Sequence, residues 1–133
     1  MVLQRGQPVP LWGWSQPGDE IKVSFAGQNK TATADASGRW QVQLDALKAS
    51  AEGQTLTVTG RSTVKLENVL IGEVWICSGQ SNMEFTVKGT LDGKQEAAAA
   101  NHPNIRLFNV PGHITASSPK DNCPGKWDVC SPK

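Results

Sequence analysis

Apolar and polar residues alternate through the first half of the chain. Ile21, Val23 and Phe25 are separated by Lys22 and Ser24, and Trp40, Val42 and Leu44 by Gln41 and Gln43. A period of two is that of a strand with one buried face. Val9 to Trp14 precedes these runs and the Thr-rich stretch Thr31 to Thr33 lies between them. Leu56 and Val58 alternate with threonines, and Val64 and Leu66 resume after Gly60-Arg61-Ser62. The intervals carry turn chemistry: Gln16-Pro17-Gly18-Asp19, Ala26-Gly27-Gln28-Asn29 and Asp35-Ala36-Ser37-Gly38. Short strands at roughly 8–12-residue spacing, punctuated in this way, predict an antiparallel β-sandwich, Ig-like or jelly-roll-like, over residues 1–67.

The pattern changes after Leu66. Val69 to Cys77 is a near-continuous apolar run, as expected of a strand covered on both faces. Ser78-Gly79-Gln80 reads as a turn and Ser81-Asn82-Met83-Glu84 as a helix start with Ser as N-cap. Helix is expected from Asp92 through the alanines 97–100, ending before Pro103, and a further strand from Ile105 to Val110. Strand, helix, strand is a βαβ unit with parallel strands and a right-handed crossover. Such a sheet needs cover on both faces, and the tail after Val110 offers no third strand. Residues 68–133 therefore read as the incomplete start of an α/β domain.

Composition narrows the functions open to the chain. Its 133 residues carry a net charge of +1, with acidic and basic residues interspersed. No basic stripe points to nucleic acid or to an anionic membrane surface. No apolar run is long enough to span a bilayer, and Met1-Val2-Leu3-Gln4-Arg5 does not have the form of a secretory leader. The protein is then either cytosolic or begins after a removed signal. Of the three cysteines, Cys77 is expected as a buried thiol. Cys123 and Cys130 are close enough to pair in an oxidising compartment, and neither belongs to a four-ligand zinc pattern. Five Trp and no Tyr is an unusual aromatic balance. Exposed Trp stacks on sugar rings, which raises a sugar-binding module without catalysis as an alternative function. Trp12 and Trp14 on one strand face, and Trp40 on an apolar stripe, read first as core.

Ser81 is the candidate for chemistry. Ligands of open α/β sheets sit where a strand turns into a helix, and Ser81 is at that point, with Gly79 permitting a tight turn. Gly79-Gln80-Ser81-Asn82-Met83 is like a nucleophile elbow without being the G-x-S-x-G pattern. The competing reading is a capping box between Ser81 and Glu84, which uses the same hydroxyl. A serine nucleophile also needs a base. His102, at a helix end, and His113, in a loop, read as capping or surface residues, so pattern alone leaves both readings of Ser81 open.

The run Gly72-Glu73-Val74-Trp75-Ile76-Cys77-Ser78-Gly79-Gln80-Ser81-Asn82-Met83-Glu84 resembles the first conserved block of the sialate O-acetylesterase family. These are SGNH-type carbohydrate esterases related to acetylxylan esterases. Met1-Val2-Leu3-Gln4-Arg5, Trp12-Gly13-Trp14, Pro17-Gly18, Asp35 with Gly38-Arg39-Trp40, Ile105-Arg106-Leu107-Phe108, and Trp127 with Cys130-Ser131-Pro132 are similar to the family's N-terminal half in order and spacing. The resemblance implies a β-sandwich beside a flavodoxin-like SGNH α/β domain. It implies Ser81 as nucleophile and backbone oxyanion donor, supported by Gly79, Gln80 and Asn82 of the motif. The substrate it implies is an O-acetylated carbohydrate, sialic acid or a plant polysaccharide unit, with no metal or organic cofactor. The family's further oxyanion donors and its Asp-x-x-His have no matching position here. The resemblance thus implies a chain inactive alone, whose partner is the remaining part of the same esterase, and a periplasmic or secreted setting.

Overall fold

Where the alternation is strict, the strands form as expected. The computed structural model describes residues 1–110 and 118–132 and divides into two units, Val2–Val74 and Trp75–Lys133. The first contains β1 (Val2–Gln4), β2 (Val9–Trp14), β3 (Glu20–Phe25), β4 (Gln28–Thr33), β5 (Arg39–Leu44), β6 (Ser50–Thr59) and β7 (Thr63–Gly72). One sheet runs in the order β1-β7-β6-β3-β4, and β2 pairs with β5 in a second. Both sheets feed the core. Ile21, Val23 and Phe25 of β3, Leu56 of β6 and Val69, Leu70 and Ile71 of β7 are buried, as are Val9, Trp40, Val42 and Leu44 from β2 and β5. Removing these apolar side chains from water is the dominant favourable term of the unit.

Turn chemistry fixes the strand ends. Ala26 and Gly27 join β3 to β4 in a two-residue hairpin, both with positive φ (48° and 78°), the signature of a type I′ turn. One Asp35 carboxyl oxygen accepts the backbone N–H groups of Ser37 (2.8 Å) and Arg39 (3.0 Å) and the Ser37 hydroxyl (2.6 Å). Asp19 accepts the Ser15 hydroxyl (2.6 Å) and the Arg61 guanidinium (2.9 Å), tying the β2–β3 turn to the β6–β7 turn. Hydrogen bonds to the ionised form hold both carboxyls below their ordinary range, from Ser15 first and then Arg61 for Asp19, and from the Ser37 hydroxyl and the Arg39 N–H for Asp35.

Several expectations are corrected. The first unit is not wholly antiparallel, because β1 pairs parallel to β7, with Val2 opposite Leu70. The strand expected over 69–77 ends at Gly72 as the last part of β7. Beyond it Trp75 and Ile76 are 82% and 93% exposed, so the apolar run lacks the neighbours that a doubly covered strand requires. Cys77, expected buried, is exposed. Trp40 is buried as expected, but Trp12 and Trp14 are 46% and 57% exposed and lie outside the core. Trp40 itself gives the reason. Its ring crosses the inner side of β2 at Gly13, where an added Cβ would lie 2.7 Å from ring carbon Cζ2, so the flanking tryptophans take the outer face.

The second unit also departs from the βαβ expectation. Ser81–Glu84 and Val87–Gly89 are short 3-10 turns, followed by α1 (Gly93–Ala99), which does stop before Pro103. β8 (His102–Asn109) then pairs antiparallel with β9 (Lys126–Cys130). β9 lies in the tail where no strand was expected, its Trp127 ring meeting Phe108 in a tilted pair with centroids 5.3 Å apart. Cys123 and Cys130 are free thiols.

Gly13→Ala is expected to destabilise the protein by about 2 kcal/mol, as overpacking against a rigid ring does, measured by denaturant unfolding. Because the folded pKa values of Asp19 and Asp35 are depressed, the stability they confer is fully present above the ordinary carboxylate pKa. It is lost as pH falls through their lower folded values. The difference in thermal midpoint between the wild type and an Asp19→Asn, Asp35→Asn double variant should therefore be greatest near neutrality and shrink in acid. A difference independent of pH would show that charge plays no part.

Candidate functional site

Ser81, the residue at which chemistry was expected, lies in the segment between the end of β7 and α1. The start of that segment is anchored by side chains rather than by a strand ladder. The Arg5 N–H donates to the Gly72 carbonyl (2.9 Å), the last backbone bond at the end of β7. The Glu73 carboxylate then accepts the Gln4 amide (2.9 Å) and the Arg5 guanidinium (2.6 Å), and the Gln4 carbonyl oxygen accepts the Val74 N–H (2.8 Å). The Gln4 amide, and next to it Arg5, hold the Glu73 carboxyl below its ordinary pKa. In the sequence Gln4, Arg5 and Glu73 stood out only as landmarks of a resemblance; nothing in their spacing showed that they meet.

From residue 73 to 80 the chain has no regular secondary structure. Gly79 has φ +149°, and a Cβ there would lie 2.9 Å from Met83 Cγ, so the bare glycine leaves room for the Met83 side chain. Ser81 follows with φ +55°, a left-handed conformation uncommon for a residue with a Cβ. Such conformations cost free energy and cluster at active sites and switch regions.

The capping expectation for Ser81 fails. The N-cap of the 3-10 turn is Gln80, Ser81 is the first residue within the turn, and no side-chain cap bond forms. Among the described residues the Ser81 hydroxyl has no hydrogen-bond partner, and the N–H groups of Ser81 and Asn82 have no backbone acceptor. Gly79, Gln80, Ser81 and Asn82 are all exposed. The turn thus presents a hydroxyl and two adjacent backbone donors to solvent, the groups that attack a carbonyl and hold the oxyanion that forms.

Among the described residues no side chain accepts a hydrogen bond from the Ser81 hydroxyl. His102 is exposed at the first position of β8, opposite Cys130. His113 lies outside the described residues.

No family model matches this sequence. Individual proteins do. Mouse sialate O-acetylesterase is 32% identical over 122 residues, 83% of this chain and 23% of that protein. The human sialate O-acetylesterase is 31% identical over 123 residues, again 83% of this chain and 23% of that protein. A crystal structure of a carbohydrate acetylesterase from Xanthomonas citri superposes with a TM-score of 0.91 at 42% identity, over 98% of this chain and 30% of that one. The chain is therefore related to the carbohydrate esterases. Within that class its resemblance is to the sialate O-acetylesterase family, of whose curated members it spans about a quarter of the length.

The Glu73 clamp can be read directly. In a carbon-detected NMR titration the Glu73 carboxyl is expected to titrate below an ordinary glutamate, and Gln4→Ala to move it back upward. An unshifted Glu73 would mean that the clamp does not persist in solution.

Proposed function

We propose that this chain is part of a serine carbohydrate esterase that removes O-acetyl groups from sugars, with Ser81 as its nucleophile. The observation that carries this reading is the strained, exposed Ser81 with its hydroxyl and N–H both uncommitted, in a chain related to carbohydrate acetylesterases. Ser81 Oγ attacks the acetyl carbonyl carbon while its proton passes to a base. The carbonyl oxygen becomes an oxyanion, to which the Ser81 N–H donates. Collapse expels the sugar oxygen, which takes the proton from the base, and leaves an acetyl-serine. Water then attacks the acetyl group and releases acetate. Gly79 supports the turn, and Gln80 and Asn82 complete the motif around the nucleophile.

In this reading Val2–Val74 is a β-sandwich and an SGNH α/β domain opens in the residues that follow it. The base and the further oxyanion donors come from the remaining part of the same esterase, as the family resemblance implies. The exposed Trp75, Ile76, Phe85 and Leu91 suit a segment that this remainder covers. The sialate O-acetylesterases and the carbohydrate acetylesterase among the relatives support an O-acetylated sugar such as sialic acid. A plant polysaccharide unit and a periplasmic or secreted setting rest on the family resemblance alone.

One observation favours a second reading. The exposed Trp12 and Trp14 fit a sugar-binding module that performs no catalysis, and in that case Ser81 is dispensable. The two separate on one substitution. In the esterase that carries this sequence, Ser81→Ala should lower kcat for acetyl release by roughly 10⁴-fold or more, with folding and substrate binding retained. Undiminished turnover would remove Ser81 from the mechanism. The 133-residue chain alone is expected not to hydrolyse an aryl acetate; hydrolysis that Ser81→Ala abolishes would show that it holds its own base.

A further inference from the structure

The outer face of the β2–β5 ribbon has a composition unlike an ordinary solvated surface. Pro10, Trp12 and Trp14 point outward along β2, and the residues paired with them on β5 are Gln43, Gln41 and Arg39, all exposed. Cross-strand partners share a face, so these six side chains form one surface. Trp12 and Trp14 are two residues apart on a strand, which spaces their Cα atoms by about 7 Å and puts both indoles on the same face. Each indole faces an amide or a guanidinium across the ladder. The side chains of Gln41 and Gln43 have no hydrogen-bond partner among the described residues.

We propose that this face is a carbohydrate-binding platform, separate from the chemistry at Ser81, that takes an extended neutral oligosaccharide. The apolar C–H faces of pyranose rings stack on Trp12 and Trp14, while Gln41 and Gln43 exchange hydrogen bonds with the hydroxyls that project from the ring edges. Rigidity favours the arrangement. The buried Trp40 ring packs against Gly13 between the two tryptophans and holds the β2 backbone from within, so little freedom is lost when a ligand stacks outside. Charge points to a neutral ligand. Arg39 is the one cation of the face and the chain carries a net +1, whereas a stacking surface for single-stranded nucleic acid lies in a basic groove. The choice of sugar over another flat, hydroxylated ligand rests on the acetylated-carbohydrate reading above; the surface itself does not depend on Ser81.

The test is calorimetric titration of the 133-residue chain with xylohexaose, cellohexaose and mannohexaose, with glucose as the single-ring control. At least one hexasaccharide is expected to bind saturably and more tightly than glucose, with little dependence on salt. Trp12→Ala and Trp14→Ala should each weaken that binding about tenfold or more, and Gln41→Ala several-fold. Both tryptophans and Gln41 are outside the core, so the variants should keep the wild-type melting temperature. Ser81→Ala should leave binding unchanged, which keeps this test distinct from that of the esterase. Absence of binding to all three hexasaccharides would overturn the proposal, as would binding that survives the double tryptophan variant or is lost with Ser81. So would salt-sensitive binding of oligothymidylate without sugar binding, or a dimer that dissolves when both tryptophans are replaced.

Discussion

A strand lasts only as far as a neighbour supplies hydrogen bonds, and this chain turns on where that supply ends. β7 lies between β1 and β6, and there Val69, Leu70 and Ile71 are buried. Its partner β1 stops at Gln4, and the ladder stops with it, although the apolar sequence continues through Trp75 and Ile76. Side chains take over for two residues. Gln4 and Arg5 grip Glu73, and Gln4 accepts the Val74 N–H that a strand would otherwise have bonded. From there the backbone is released into the irregular segment that leads to Ser81. A backbone donor left without a ladder must find another partner or face water.

That limit also explains what could be read in advance. β3 and β5 were legible because strict alternation placed every second residue in the core, and α1 because alanines run up to a proline. The end of β7 was not legible, since an apolar run shows that burial is possible and not where the partner strand stops. The parallel pairing of β1 was hidden in three residues too short to show a period. β9 was passed over inside a segment rich in Pro and Gly, although Trp127 and Val129 alternate with Lys126 and Asp128. Trp12 and Trp14 are the clearest case. Alternation correctly put them on one face, but the choice of inward face was made by Trp40 on another strand, whose ring fills the space above Gly13. The reading of Ser81 as a nucleophile came from a thirteen-residue resemblance. Its left-handed backbone and its unused hydroxyl came only from the structure.

Two surfaces of different chemistry thus emerge from one chain related to carbohydrate esterases. The Ser81 turn presents a hydroxyl and backbone donors on an exposed, left-handed backbone. The β2–β5 face is the reverse, built on a packed interior with its polar and aromatic groups already arrayed. The first stands out by backbone conformation and uncommitted donors, the second by register and exposure, and the two share only the carbohydrate to which the relatives point.

The parallel pairing of β1 with β7 bears on the order in which the protein is made. On the ribosome Val2, Leu3 and Gln4 emerge ahead of the other strands of their unit, yet their neighbours Leu70, Ile71 and Gly72 are synthesised at its far end. The hairpin of β3 and β4 can close as soon as it is made, whereas β1 must wait until nearly the whole unit exists. The earliest strand of this unit is therefore among the last to be seated, and the Glu73 clamp closes with it.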